Sequence, residues 1–163
     1  MKRLYNIKEN FIKKSFTTSL LLLLLINVNA QSNNIKYDKH LADSLGADEY
    51  GMKMYILVIL KTGSNKSNNK QTVDSLFLGH MKNISRLAEI GKLVVAGPLK
   101  KNIKEYEGIF ILNTTTIEEA NSLLETDPAI KARILNTELF QWYGSAALPM
   151  YLKFHNNVKK KDF

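Results

Sequence analysis

The chain has 163 residues, no cysteine, and 23 Lys and Arg against 15 Asp and Glu, for a formal net charge of +8. Its length suits one domain, and the missing cysteines exclude a disulfide framework or a lipidated cysteine. The basic excess would suit nucleic acid or an anionic membrane, but much of it sits at the two ends, in Lys2, Arg3, Lys8, Lys13 and Lys14 and again in Lys153, Lys159, Lys160 and Lys161.

That basic start precedes an apolar run, Leu20 to Ile26, then Val28-Asn29-Ala30 and the polar Gln31-Ser32. The three parts together predict a signal peptide over residues 1–30, cleaved after Ala30. The apolar run is far shorter than the roughly 20 residues a spanning helix needs, so no membrane anchor is expected to remain, and the expected location is secreted or periplasmic. Cleavage would leave 18 basic and 14 acidic side chains, net about +4. Residues 31–51 are polar and read as a linker with a short helical turn at 37–45. Residues 52–148 form the expected domain, and 149–163 a loose, basic, solvated tail.

Within the domain, Met54 to Leu60 is β-branched and aromatic and reads as a strand. A polar loop over 62–71 follows. Apolar residues at 73, 76, 77, 84, 87 and 88 have helical spacing, with Gly91 as the stop. Leu93–Ala96, closed by Gly97-Pro98, and Gly108–Leu112 read as strands two and three. Thr116 with Glu119 three residues on is a capping-box pattern opening a helix to Glu125. Asp127-Pro128 opens a short helical stretch, and Leu139–Tyr143 is the fourth strand. The expected fold class is α+β, with the ferredoxin-like order β-α-β-β-α-β.

Both faces of the strands are apolar. Met54, Ile56, Val58 and Leu60 alternate with Tyr55, Leu57 and Ile59, and Leu139 and Tyr143 with Phe140 and Trp142. Two helices cover one face of such a sheet. The second face must meet apolar surface, most simply that of a second copy, or line a pocket, which predicts a homodimer with sheets face to face.

Few chemical groups stand out. His80 lies in the helical register between Leu76 and Ile84, so it faces the apolar side; it is either a satisfied core histidine or a group that moves protons near neutral pH. Asp127 before Pro128 is either a helix cap or a carboxylate that holds and polarises a histidine. His40, His80 and His155 are too scattered for a metal site, and no cofactor is expected. There is no phosphate-cradling glycine loop and no nucleophile elbow. Phe110 and Phe140 suggest stacking platforms, but the basic pattern of RNA-binding domains is missing from Gly108-Ile-Phe-Ile-Leu-Asn113, so no nucleic acid partner is expected.

Three segments taken together resemble the YciI (YCII-related) family: Phe77-Leu-Gly-His80-Met-Lys-Asn-Ile-Ser-Arg-Leu87, Gly91-Lys-Leu-Val-Val-Ala-Gly97-Pro98-Leu99, and Thr126-Asp127-Pro128. The resemblance spans about residues 52–148. It implies a dimeric α+β barrel and a candidate active site in which His80 and Asp127 meet. Similar proteins are linked to dehydrochlorination of chlorinated aromatics, and the wider group includes isomerases and monooxygenases acting on cyclic compounds. The leading expectation is cofactor-free lyase or isomerase chemistry on a small cyclic molecule, with His80 as general acid or base and Asp127 fixing its tautomer. Tyr55, Leu57, Gly97, Pro98 and Phe110 would line the pocket. The alternatives are a non-catalytic periplasmic ligand-binding or sensing module, and a structural dimer with a satisfied core histidine.

Overall fold

The computed structural model of the protein describes residues 36–161; the expected signal peptide and the first residues of the expected linker lie outside them. The elements are α1 (Lys39–Leu45), β1 (Met52–Thr62), α2 (Lys70–Glu89), β2 (Leu93–Pro98), β3 (Tyr106–Leu112), α3 (Ile117–Leu124), α4 (Pro128–Lys131) and β4 (Leu135–Ser145). A 3-10 turn, Leu148–Tyr151, and α5 (Leu152–Val158) follow. The strands form one antiparallel sheet in the order β2-β3-β1-β4. With α2 and α3 as the two crossovers, this is the ferredoxin-like arrangement. No described helix is long and apolar enough to cross a membrane.

Local chemistry sets the boundaries. Helix α2 starts earlier than the apolar spacing indicates, because the Asn69 side chain caps the Thr72 N–H at 3.1 Å. It ends where Gly91, at φ +71°, takes the left-handed conformation and Lys92 N–H donates back to Leu87 O at 2.8 Å. Thr116 caps the Glu119 N–H at 3.3 Å. The reciprocal half of that capping box is not made, since the Glu119 carboxylate is held by Lys92 and Thr114 instead. Strand β4 is eleven residues long because it pairs with β1 over its whole length, from Met52↔Ser145 to Thr62↔Leu135.

One face of the sheet carries the main core: Ile56, Val58 and Leu60 of β1 and Phe110 and Leu112 of β3 meet Leu87 of α2, Ala120 and Leu124 of α3 and Ala129 of α4. Each large side chain buried there contributes about 1.5–3 kcal/mol. The opposite face carries a second cluster, Tyr55, Val94 and Ile111, against which Leu57, Val95, Trp142 and Leu148 pack.

The helical turn expected at 37–45 is α1, and residues 38–51 are fastened to the domain. Asp38 caps Leu41 N–H at 3.0 Å, Gly46 at φ +69° stops α1, and Lys53 Nζ donates to Leu45 O at 3.1 Å. One oxygen of Asp48 accepts the Tyr50 and Met52 N–H groups, each at 2.9 Å, and the other accepts the Tyr143 hydroxyl. The C-terminal residues read as a loose tail are helical through Val158. Their start is held on the second face, where the Tyr151 hydroxyl donates to Val94 O, beside Leu148, the last residue of the expected domain, which packs there.

Candidate active site

Helix α2 directs its inner face at the sheet, and His80 sits there, 7 % exposed. Its ring stacks on Phe110, with centroids 5.8 Å apart and planes 20° apart, and meets Phe77 edge-on at 6.0 Å. Asp127, fully buried, stands at the start of α4. Its Oδ1 caps the helix, accepting Ala129 N–H at 2.9 Å and Ile130 N–H at 3.3 Å. Its Oδ2 lies 2.7 Å from His80 Nδ1. Asp127 thus makes both contacts the sequence offered it, a helix cap with one oxygen and a histidine with the other.

Burial pushes the Asp127 carboxyl up, but the His80 hydrogen bond and charge and the two backbone N–H groups outweigh it, so its pKa lies below the ordinary value. An ionised carboxylate only accepts. His80 Nδ1 must then carry the proton it shares with Asp127, which leaves the lone pair of the neutral ring at Nε2. No described residue bonds Nε2, and no fully buried side-chain nitrogen or oxygen is without a partner, so Nε2 is open to solvent. The arrangement is a histidine oriented by a buried carboxylate, with its second nitrogen free to take or give a proton.

A close approach between α2 and α4 brings the pair together. A Cβ on Gly79 would lie 2.8 Å from Pro128 Cγ and 3.3 Å from Pro128 Cβ. Only glycine next to His80 lets the proline ring, and the aspartate before it, come this near.

The expected pocket residues divide between the two faces of the sheet. Phe110 touches His80. Tyr55 and Leu57 do not: they alternate with Ile56 and Val58 and point to the opposite face, where Tyr55 donates to Ser145 O at 2.9 Å. Gly97 and Pro98 pair with Ile109 and Gly108 at the end of β2, and no hydrogen bond or ring contact among the described residues joins either to His80. A separate hollow of about 380 Å³, lined by Ser64, Ile130, Arg133, Leu135 and Asn136, lies on the C-terminal side of α4 and includes neither His80 nor Asp127. No group of three or more His, Asp or Glu among the described residues is placed to hold a metal ion.

Sequence reasoning missed two polar residues behind the pair. Asn83, 7 % exposed, places its Nδ2 3.4 Å from Asp127 Oδ2. Arg86 donates to Asn83 Oδ1 from Nη2 at 2.7 Å and Nε at 3.3 Å, and to the Thr126 hydroxyl at 2.7 Å. Their signal was legible: Asn83 is one turn along the same face as His80, where an apolar residue would otherwise stand, and Arg86 is one turn further.

No family model and no curated protein matches the chain. Among solved structures, it is similar to the 5-chloro-2-hydroxyhydroquinone dehydrochlorinase of Burkholderia phenoliruptrix, solved in complex with 2,5-dihydroxybenzoquinone, at 21% identity and a TM-score of 0.39. The match covers 53% of this chain and 92% of that one, and a likeness at this level assigns no activity.

Proposed function

We propose that the protein is a cofactor-free acid–base enzyme of lyase or isomerase type acting on a small molecule. The observation that carries this reading is the buried Asp127 at 2.7 Å from His80 Nδ1 while Nε2 stays open to solvent. A histidine serving only the core would have both nitrogens satisfied by the protein. One held by a carboxylate on one side and bare on the other is prepared to remove a proton, and later return it, at Nε2. Positioned proton transfer of this kind contributes on the order of 10²–10⁴ in rate. His80 is then the general base and acid, Asp127 sets its tautomer, and Phe110 and Phe77 hold the ring plane. The basic, apolar start of the chain supports export, as a secreted or periplasmic protein. Phe140, half exposed and paired across from Leu57 on the second sheet face, supports a homodimer, which light scattering at micromolar concentration tests.

The functional test is a thermal-shift screen of small aromatic and carboxylate compounds on wild type and His80→Gln together. A ligand at about 100 times its dissociation constant stabilises by roughly 2.7 kcal/mol, which moves the midpoint of a domain this size by several degrees. The expected result is a compound that shifts wild type and is turned over by it but not by His80→Gln. A compound that binds both equally, with no turnover by either, would overturn the enzymatic reading in favour of a binding module.

A further inference from the structure

Asn83 and Arg86 do more than fill space behind the pair. Arg86 is donor-only and permanently charged, and two of its nitrogens reach Asn83 Oδ1, at 2.7 and 3.3 Å. That contact settles which way the Asn83 amide points. Its oxygen must face the guanidinium, and its NH2 therefore faces Asp127 Oδ2, the same oxygen that meets His80 Nδ1. With the amide reversed, two acceptors would confront each other at 3.4 Å inside the core, where Asp127 is fully buried. The carboxyl would then have to bind a proton or release the imidazole.

Arg86 is the charged group that faces the Asn83 oxygen, and the Thr126 hydroxyl, 3.0 Å from the same Oδ1, is the neutral one. Asp127 bonds His80, Asn83 and the N–H groups of Ala129 and Ile130, while the rings against His80 are the uncharged Phe77 and Phe110. The guanidinium is the charged group next behind them. Thr126 steadies it by accepting from Nη2 at 2.7 Å; its single hydroxyl proton has two acceptors in reach, Leu123 O at 2.6 Å and Asn83 Oδ1 at 3.0 Å, and the shorter contact leaves the guanidinium as the main donor to the amide oxygen.

We propose that Asn83 and Arg86 are positioning residues for His80: the guanidinium locks the amide with its NH2 toward Asp127, and the amide keeps the carboxylate an acceptor for Nδ1–H, so that the basic lone pair stays at Nε2. The inference rests on the His80–Asp127 reading but is tested on the imidazole itself, with no substrate required.

The experiment is a long-range ¹H–¹⁵N correlation on the ¹⁵N-labelled full-length protein, which reads the His80 tautomer directly. Wild type should show the Nδ1–H form as the dominant neutral species. In Asn83→Leu and Arg86→Gln the Nε2–H fraction should rise at least fivefold, because the first removes the donor and the second leaves the amide free to turn. Arg86→Lys, still donor-only, should keep the wild-type tautomer, which a loss of packing alone would not explain. A dominant Nε2–H form in wild type would overturn the proposal, as would an unchanged tautomer in folded Asn83→Leu. Should Asn83→Leu fail to fold, an unchanged tautomer in Arg86→Gln, whose site is on the surface side of the network, overturns it equally. A wild-type Nδ1–H histidine with no ligand or turnover found would leave this assignment standing while the enzymatic reading falls.

Discussion

Asp127 divides two tasks between two oxygens, and the division makes an informative substitution available. Asparagine caps helices about as well as aspartate, so Asp127→Asn should keep its carbonyl oxygen on Ala129 N–H, where two donors converge. Its NH2 would then face His80 Nδ1 and force that nitrogen to accept. The ring proton would move to Nε2 and the exposed base would vanish. Expected is a loss of turnover on the order of 10²–10⁴ with a melting midpoint several degrees below wild type, because the new NH2 also opposes the Asn83 NH2. Asp127→Ala should instead lose the cap, about 1 kcal/mol, and strand the buried Nδ1–H, about 1–3 kcal/mol more. The same carboxylate gives the fold an acid limb. Its pKa in the folded protein lies below the ordinary value, because the His80 and backbone hydrogen bonds outweigh burial. Its stabilising contribution is therefore present above the unfolded value of about 3.9 and disappears as pH falls through the folded value. Urea denaturation from pH 6 down to pH 2 should show wild type losing stability in that window, and Asp127→Asn losing less. Parallel curves for the two proteins would show that this carboxylate does not carry the acid limb.

The elements that bring the site together depend on one missing side chain. Alanine for glycine inside a helix ordinarily gains about 1 kcal/mol, yet at Gly79 the new Cβ would press on the Pro128 ring, a rigid neighbour 2.8 Å away. Overpacking of this kind costs about 1–3 kcal/mol. Gly79→Ala should therefore not be stabilised, and because Pro128 follows Asp127 directly, the shift should lengthen the His80–Asp127 contact. A higher melting midpoint with an unchanged His80 Nδ1–H resonance would show that α4 gives way freely. Much of this level was legible in the sequence: the strand and helix order, the stop at Gly91, the caps at Thr116 and Asp127, and the inward register of His80 all follow from local patterns. What was not legible is pairing. Phe110 lies across from Val58 and so shares its face, while Tyr55 and Leu57 lie on the other. A slip of one residue reverses the face of every side chain in a strand, and strands apolar on both sides carry no mark of which side meets the helices. The divided pocket is the consequence.

At the scale of the whole molecule, the two-faced strands pose a demand that a pattern of apolar residues states without saying who meets it. The chain answers part of it itself. Leu148 packs on the Tyr55, Val94 and Ile111 cluster, and Tyr151 bonds Val94 O across it. Lysines at the end of the chain hid this from sequence reasoning, because the covering residues occupy only the first few positions before the charges begin. What stays open on that face is centred on Phe140, paired with Leu57 on the β4 side. The chain's own segment and a second copy are thus candidate covers for neighbouring parts of one surface. Ending the chain after Ala147 should separate them. Losing one partly buried leucine, worth less than the ~1.5–3 kcal/mol of full burial, and one hydrogen bond at about 1 kcal/mol should lower the melting midpoint by several degrees. An unchanged midpoint would mean that the segment does not cover the face in solution. Light scattering on the same pair of proteins then locates the dimer contact. Dimers in both would place the contact on the Phe140 side, clear of the C-terminal segment. A full chain that is monomeric and a shortened one that pairs would mean that the segment occupies the very surface through which two copies meet.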